Sequence, residues 1–257
     1  MTAYVVVRAN GTLEAVVQEP ASLMRSPPPS HGWVCVEWLC WCGKLPSNQG
    51  GVRMGMYATH VLPRIINAAC GAKSAAPLRK RVCEGLHGDV VEIGFGSGLN
   101  VPFYPSEVTG VAAIEPADVG WNLAQQRVAA SEVPVRRSGL DGQKLPLPDA
   151  SFDSAISTWT LCTIPDVAVA LTELRRVLKP GGRLYFVEHG LAPDEKVQRL
   201  QHRLEPLNKR LFGCHLTRDI VGLLTDSGFT IIEADVFYSD GAPKSFAAET
   251  LGVAVSP

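Results

Sequence analysis

Val90–Asn100 reads VVEIGFGSGLN. Val90, Val91 and Ile93 make a short apolar run of the kind that fills a buried parallel strand. Three glycines follow at alternate positions, Gly94, Gly96 and Gly98. Asn100 and Val101 then lead into Pro102, which suits a short turn or a single helical turn. Glycines spaced in this way let the backbone bend sharply and lie against a ligand with no Cβ between them. A strand feeding such a loop marks a ligand site at the C-terminal edge of an open α/β sheet. The spacing is G-x-G-x-G rather than the G-x-G-x-x-G of dinucleotide loops, and an acid, Glu92, stands inside the strand. A pyrophosphate has no use for that anion, whereas a ligand bearing an amino group and a sulfonium does.

Downstream, Val108–Glu115 (VTGVAAIE) is a second buried strand ending in an acid, at about the distance from the glycine loop that such folds use. A carboxylate there accepts hydrogen bonds from both hydroxyls of a ribose; the competing reading of Glu115 is a plain strand-end surface acid. Pro116 suits the start of a helix over 117–130. Val133–Arg137 is a third strand and Ser151–Thr160 a fourth. A helix over Ile164–Leu178 places Val167, Leu171, Leu174, Val177 and Leu178 on one side. Leu178-Lys179-Pro180-Gly181-Gly182 then stops it and turns the chain into a fifth strand, Arg183–Glu188. Helices are predicted over Pro193–Arg210, as a cap on the substrate pocket, and over Thr217–Ser227 with Thr217 as N-cap. Strands Phe229–Tyr238 and Phe246–Val255 finish the chain. Upstream of the glycine loop, 57–69 and 77–86 have helical spacing, the second with Cys83 and Leu86 toward the core. Strands alternating with helices predict an α/β fold with a mostly parallel sheet.

With 257 residues, 46% hydrophobic and 19% charged, the chain is long enough for one domain of the larger kind. A formal net charge of −1 supplies no basic field for nucleic acid. Nothing has the length of apolar run that spans a bilayer, and no secretory signal opens the chain, so a cytoplasmic location is expected. The seven cysteines are scattered. Cys35, Cys40 and Cys42 form the one cluster, without the paired spacing of a zinc site, so no metal is expected. Residues 1–53 differ from the rest. Two short strands, Tyr4–Val7 and Leu13–Val17, flank Asn10-Gly11 as a hairpin, Pro27-Pro28-Pro29 interrupts any element, and Trp33, Trp38 and Trp41 sit in an apolar stretch. That stretch is read either as a peripheral membrane contact or as part of an extension outside the domain. The domain itself is expected over residues 54–257.

Together these motifs resemble the class I S-adenosylmethionine-dependent methyltransferases, in order from about Met56 onward. The resemblance implies a doubly wound, seven-stranded sheet with its last strand reversed, and S-adenosylmethionine as cofactor. It implies that Glu92, Gly94, Gly96, Gly98 and Asn100 form the cofactor loop, that Glu115 and Pro116 meet the ribose, and that Asp141 and Gly142 meet the adenine. It further implies that Trp159 and Thr160 lie by the methionine moiety, with Tyr57 closing over it. Against the family pattern, Gly139 stands one place early and Leu140 takes its position, and a turn-forming role for Asp141 competes with the adenine role. Leu161-Cys162, Glu188-His189 and Gly213–Arg218 (GCHLTR) are similar to a narrower branch that methylates small thiols. The expected reaction is therefore in-line methyl transfer to a small molecule, foremost a thiol. The alternatives are a carbon or oxygen on a quinone-like or natural-product ring, and a cofactor-binding scaffold without catalysis. A thiol needs only modest help to ionise. His189, at the end of strand five, is the first candidate to give that help, and His215 the second. Cys162 is read as a small buried hydrophobe.

Overall fold

A computed structural model describes residues 2–7 and 13–18 as strands, then residues 64, 67, 70, 71 and 73–257. Tyr57, Cys35, Cys40, Cys42 and the three N-terminal tryptophans lie outside the described residues. Of the helix expected over 57–69, Arg64 and Asn67 are described and helical, as is Cys70 just past its expected end.

The elements are β1 (Thr2–Val7), β2 (Leu13–Gln18), α1 (Ala76–Cys83), β3 (Gly88–Ile93), β4 (Val108–Ile114), α2 (Asp118–Ala129), β5 (Val135–Gly139), β6 (Phe152–Thr158), α3 (Val167–Val177), β7 (Leu178–His189), α4 (Glu195–Phe212), α5 (Ile220–Asp226), β8 (Thr230–Tyr238), α6 (Lys244–Ala247) and β9 (Ala248–Val255). The sheet runs β2-β1-β8-β9-β7-β6-β3-β4-β5. Strands β3 to β7 are parallel, and β9 lies antiparallel between β7 and β8. This is the expected seven-stranded sheet with a reversed last strand, extended at its β8 edge by the β1–β2 hairpin, which joins it through Val7 opposite Asp235.

Alternation along the strands sorts the core. Val91, Ile93, Ala155, Leu184 and Phe186 face one side, where α3 and α5 cover them with Leu171, Leu174, Ile220 and Leu224. Val90, Ile156, Tyr185, Val187 and Leu251 face the other, against Val82, Cys83 and Leu86 of the α1 region. Glu92 shares the parity of Val90 and therefore points to the α1 side.

Two boundaries differ from the sequence reading, each for a local reason, and α4 buries an unusual face. Asp219, not Thr217, caps α5: its carboxylate accepts from the Gly222 amide at 3.0 Å. The Lys179–Gly182 turn is drawn into β7, because Gly181 N donates to Ser256 O at 2.9 Å and Ser256 N to Gly182 O at 2.8 Å. Helix α4 is turned inside out. Gln201 and Asn208 are buried, whereas Leu200, Leu207, Leu211 and Phe212 are exposed. Gln201 bridges Ala192 N, Gly190 O and Ser245 O, so α4 is held by polar bonds.

Candidate active site

The β3–α2 connection builds one wall of a cleft at the C-terminal ends of β3, β4 and β6. Gly94 and Gly96 carry φ of +66° and +57°, a region that residues with a Cβ rarely enter. A Cβ on Gly94 would lie 2.0 Å from Thr160 Oγ1, so the loop packs directly on the β6 turn. A Cβ on Gly96 would meet only Gly94 O, at 3.8 Å, and would otherwise enter open space. Gly98 is different: its neighbours would be Ala124 and the Phe95 ring, and it lies behind the cleft wall.

Glu115, buried at the end of β4, binds the loop from below. Its Oε2 accepts from Gly96 N at 2.6 Å and its Oε1 from Ala117 N at 2.7 Å. Burial raises its pKa, against the pull of these two amides. The cleft holds about 390 Å³ and is lined by Glu115, Pro116, Asp141, Gly142, Trp159 and Thr160, among others, a volume within the usual range for small-molecule sites. Asp141 forms the turn considered for it and also lines the cleft. Its Oδ1 accepts from Gln143 N at 2.9 Å. Leu140 also lines the cleft and is 57% exposed, so the displaced glycine leaves an apolar side chain at the rim.

Glu92 and Asn100 do not line the cleft; they lie one layer behind it. Glu92 is 1% exposed, and its carboxylate accepts from Asn100 Nδ2 at 2.9 Å and from the Tyr104 hydroxyl. Burial raises its pKa to about 7. In front of it stands Arg79 of α1, a cleft-lining residue that the sequence reading missed. Arg79 is buried, donates to Asn100 Oδ1 at 2.6 Å and to Cys70 O at 3.1 Å, and stacks 4.7 Å from the Trp159 ring centre. Its Nε has no partner. The signal was present in the chain: Arg79 falls in register with Val82, Cys83 and Leu86, on the stripe that packs inward.

Trp159 adopts a left-handed φ of +50°. A buried carboxylate stabilises this turn: Glu188 accepts from Ser157 Oγ at 2.6 Å, Thr160 N at 3.0 Å and Cys162 N at 3.2 Å. Neither His189 nor His215 lines the cleft. His189 lies 6.4 Å from Trp159, ring centre to ring centre, with Nδ1 3.9 Å from Cys214 Sγ and Nε2 3.7 Å from Glu249 Oε1. Burial opposes charge on this imidazole, but Cys214, Glu249 and Glu188 together raise its pKa. His215 points elsewhere, 2.7 Å from Glu205 Oε1, and burial lowers its pKa. Cys162, read from sequence as a filler, is buried but sits with His189 and Cys214 in one group.

A glycine loop and a buried strand-end carboxylate thus meet at the C-terminal edge of an α/β sheet with one reversed strand. Residues 91–186 match the family described as the methyltransferase domain. The chain's fold is that of S-adenosylmethionine-dependent methyltransferases: the enzyme of that class from Thermotoga maritima superimposes with a TM-score of 0.55 at 21% identity, over 77% of this chain and 99% of that one. Among curated relatives, the thiol S-methyltransferase TMT1B of Rattus norvegicus is 34% identical over 137 residues, 51% of this chain and 55% of the relative. The phosphatidylethanolamine N-methyltransferase of Cereibacter sphaeroides is 26% identical over 180 residues, 66% of this chain and 84% of the relative. The chain thus spans little more than half the length of the thiol S-methyltransferase that it matches. Among the described residues, no helix is long and apolar enough to cross a membrane.

Proposed function

We propose that this chain transfers a methyl group from S-adenosylmethionine to a small-molecule thiol. The observation that carries the cofactor half is Glu115: a buried carboxylate at the end of β4 that holds the glycine loop and faces the cleft. Each of its oxygens keeps a lone pair for a ribose hydroxyl. Asp141 would accept from the adenine amino group, with Leu140 and Ile164 as apolar walls. The partnerless Nε of Arg79 suits the carboxylate of the methionine portion, because an orphaned buried donor is costly until a ligand meets it. Gly96 leaves room for close approach of that portion. Trp159 and Thr160, fixed by Glu188, would set the direction from which the acceptor arrives.

When bound, S-adenosylmethionine supplies a methyl group already activated on a sulfonium. The chain's own work is then alignment and exclusion of water, which can account for about 7–11 kcal/mol of a barrier. Of the two histidines, His189 is the one on the acceptor side, through its contact with Trp159. His215 is committed to Glu205. Support for a thiol acceptor comes from the relative named as a thiol S-methyltransferase, and from the Leu161-Cys162, Glu188-His189 and Gly213–Arg218 segments.

Titration calorimetry tests the cofactor half. Saturable heat with S-adenosylmethionine is expected, and Glu115→Ala should weaken binding by about 1.5–3 kcal/mol, roughly tenfold to a hundredfold. Saturation by NADH with none by S-adenosylmethionine overturns the reading. Labelled cofactor offered to thiols, phenols and amines tests the acceptor; label in the phenols or amines alone overturns the thiol.

A further inference from the structure

Cys162, His189 and Cys214 come from the β6–α3 turn, the end of β7 and the segment after α4, yet one ligand atom from each lies within 4.8 Å of the others. We propose that these three side chains bind a thiophilic divalent cation of the zinc class, with the fourth position left for the sulfur of the acceptor. The second clause rests on the thiol reading above; the first does not.

The geometry meets what such an ion requires. Zinc–sulfur bonds of about 2.3 Å and zinc–nitrogen bonds of about 2.0–2.1 Å at a tetrahedral angle put sulfur and nitrogen roughly 3.6 Å apart. Cys214 Sγ and His189 Nδ1 stand 3.9 Å apart, and all three ligand atoms lie within 4.8 Å of one another, so the group is close to the separations that the ion sets. Two thiolates and a neutral imidazole cancel the ion's charge, which is the condition for burying it.

The three ligands are also held from behind. Cys162 is fixed at both ends of its backbone: its N donates to Glu188 Oε2 at 3.2 Å and its O accepts from His215 N at 2.8 Å. The latter bond staples the two cysteine segments together. Cys214 O accepts from Asn208 Nδ2 at 2.7 Å, which explains a buried asparagine on α4. His189 has Nδ1 toward the thiols and Nε2 toward Glu249, its cross-strand neighbour on β9, at 3.7 Å. A carboxylate behind a ligating imidazole fixes its tautomer and strengthens it as a donor. Glu249 is 5% exposed and its Oε2 has no partner, so it has capacity for that task.

Three protein ligands leave one coordination position open, the arrangement of catalytic rather than structural zinc sites. An acceptor thiol entering that position would exchange its S–H bond for a sulfur–metal bond, with the proton leaving to water. In this arrangement His189 is a ligand, not a proton acceptor.

The test uses the full chain, chelator-treated and kept reduced, titrated with Co2+ in the absence of cofactor and acceptor. One equivalent should bind with thiolate-to-cobalt charge-transfer absorption that Zn2+ abolishes. Cys214→Ser and His189→Ala, both at partly exposed positions, should weaken Co2+ binding at least tenfold, and Glu249→Gln about tenfold or more. Comparison with Cys214→Ser also separates this site from Cys35, Cys40 and Cys42. No charge-transfer band in the reduced protein, or a band unchanged by Cys214→Ser, overturns the metal site and leaves the methyl-transfer reading untouched. A small thiol added to the cobalt form should shift the band; an unmoved band overturns the assignment of the fourth position.

Discussion

Glu92, expected from sequence in the cofactor loop, sits one layer behind the cleft. Strand parity sends its side chain to the α1 side, where Asn100 and Tyr104 saturate it. It supports the glycine loop and Arg79 from behind. Burial lifts its pKa from 4.5 to about 7, so the folded chain holds this proton more tightly than the unfolded chain does. The stability from that proton is fully present below pH 4.5 and is lost as the pH rises to about 7. Glu92→Gln keeps the shape and removes the titration. Its melting temperature should therefore gain on the natural chain across that interval and hold a constant lead above it. Parallel melting curves against pH would show that Glu92 does not titrate there. Arg79 was missed because a cation on a helix is ordinarily read as solvated. Only its register with buried neighbours marks it.

At the scale of elements, the cleft depends on two turns packed on one another, the glycine loop after β3 and the Trp159 turn after β6. Gly94 and Gly96 share a backbone conformation but not surroundings, so alanine at each should fail differently. Gly94→Ala drives a methyl group into Thr160 and adds left-handed strain of about 1–3 kcal/mol, so its urea midpoint should fall well below that of Gly96→Ala. Gly96→Ala carries the strain alone, and its added methyl points into the open cleft, so on the proposed reading it should lose more cofactor affinity per unit of stability lost. Equal losses of stability in the two variants would mean that the turns are not in contact. The sequence displayed both glycines and the β6 strand. It could not display their contact, nor the Glu188 carboxylate beneath it, because these join residues 66 and 28 positions apart. The same limit hid the group of Cys162, His189 and Cys214, which no short spacing relates. Helix α4 was read from sequence as a cap on the substrate pocket, yet none of its residues lines the cleft. Gln201 and Asn208 set its inward face through hydrogen bonds to distant backbone.

For the whole molecule, alternation of strands and helices made the class of fold and the order of strands along the chain readable, and the reversed end was what the family resemblance implied. The reach of residues 1–53 was not readable. Their described part, the β1–β2 hairpin, meets the sheet at one residue pair, Val7 with Asp235. Deleting residues 1–53 should therefore leave the melting temperature and S-adenosylmethionine affinity close to those of the full chain; a collapse of either would make the extension part of the domain. The position of β9 has a wider consequence. It is the last strand in the sequence, yet it lies inside the sheet between β7 and β8. On a ribosome, the glycine loop, Glu115 and Asp141 have emerged long before it and can pair locally through β3 to β6. His189 waits for Glu249, which emerges 60 residues later. The glycine-loop wall of the cleft is thus able to form early, and the surroundings of His189 are completed only when β9 slides into its slot between β7 and β8.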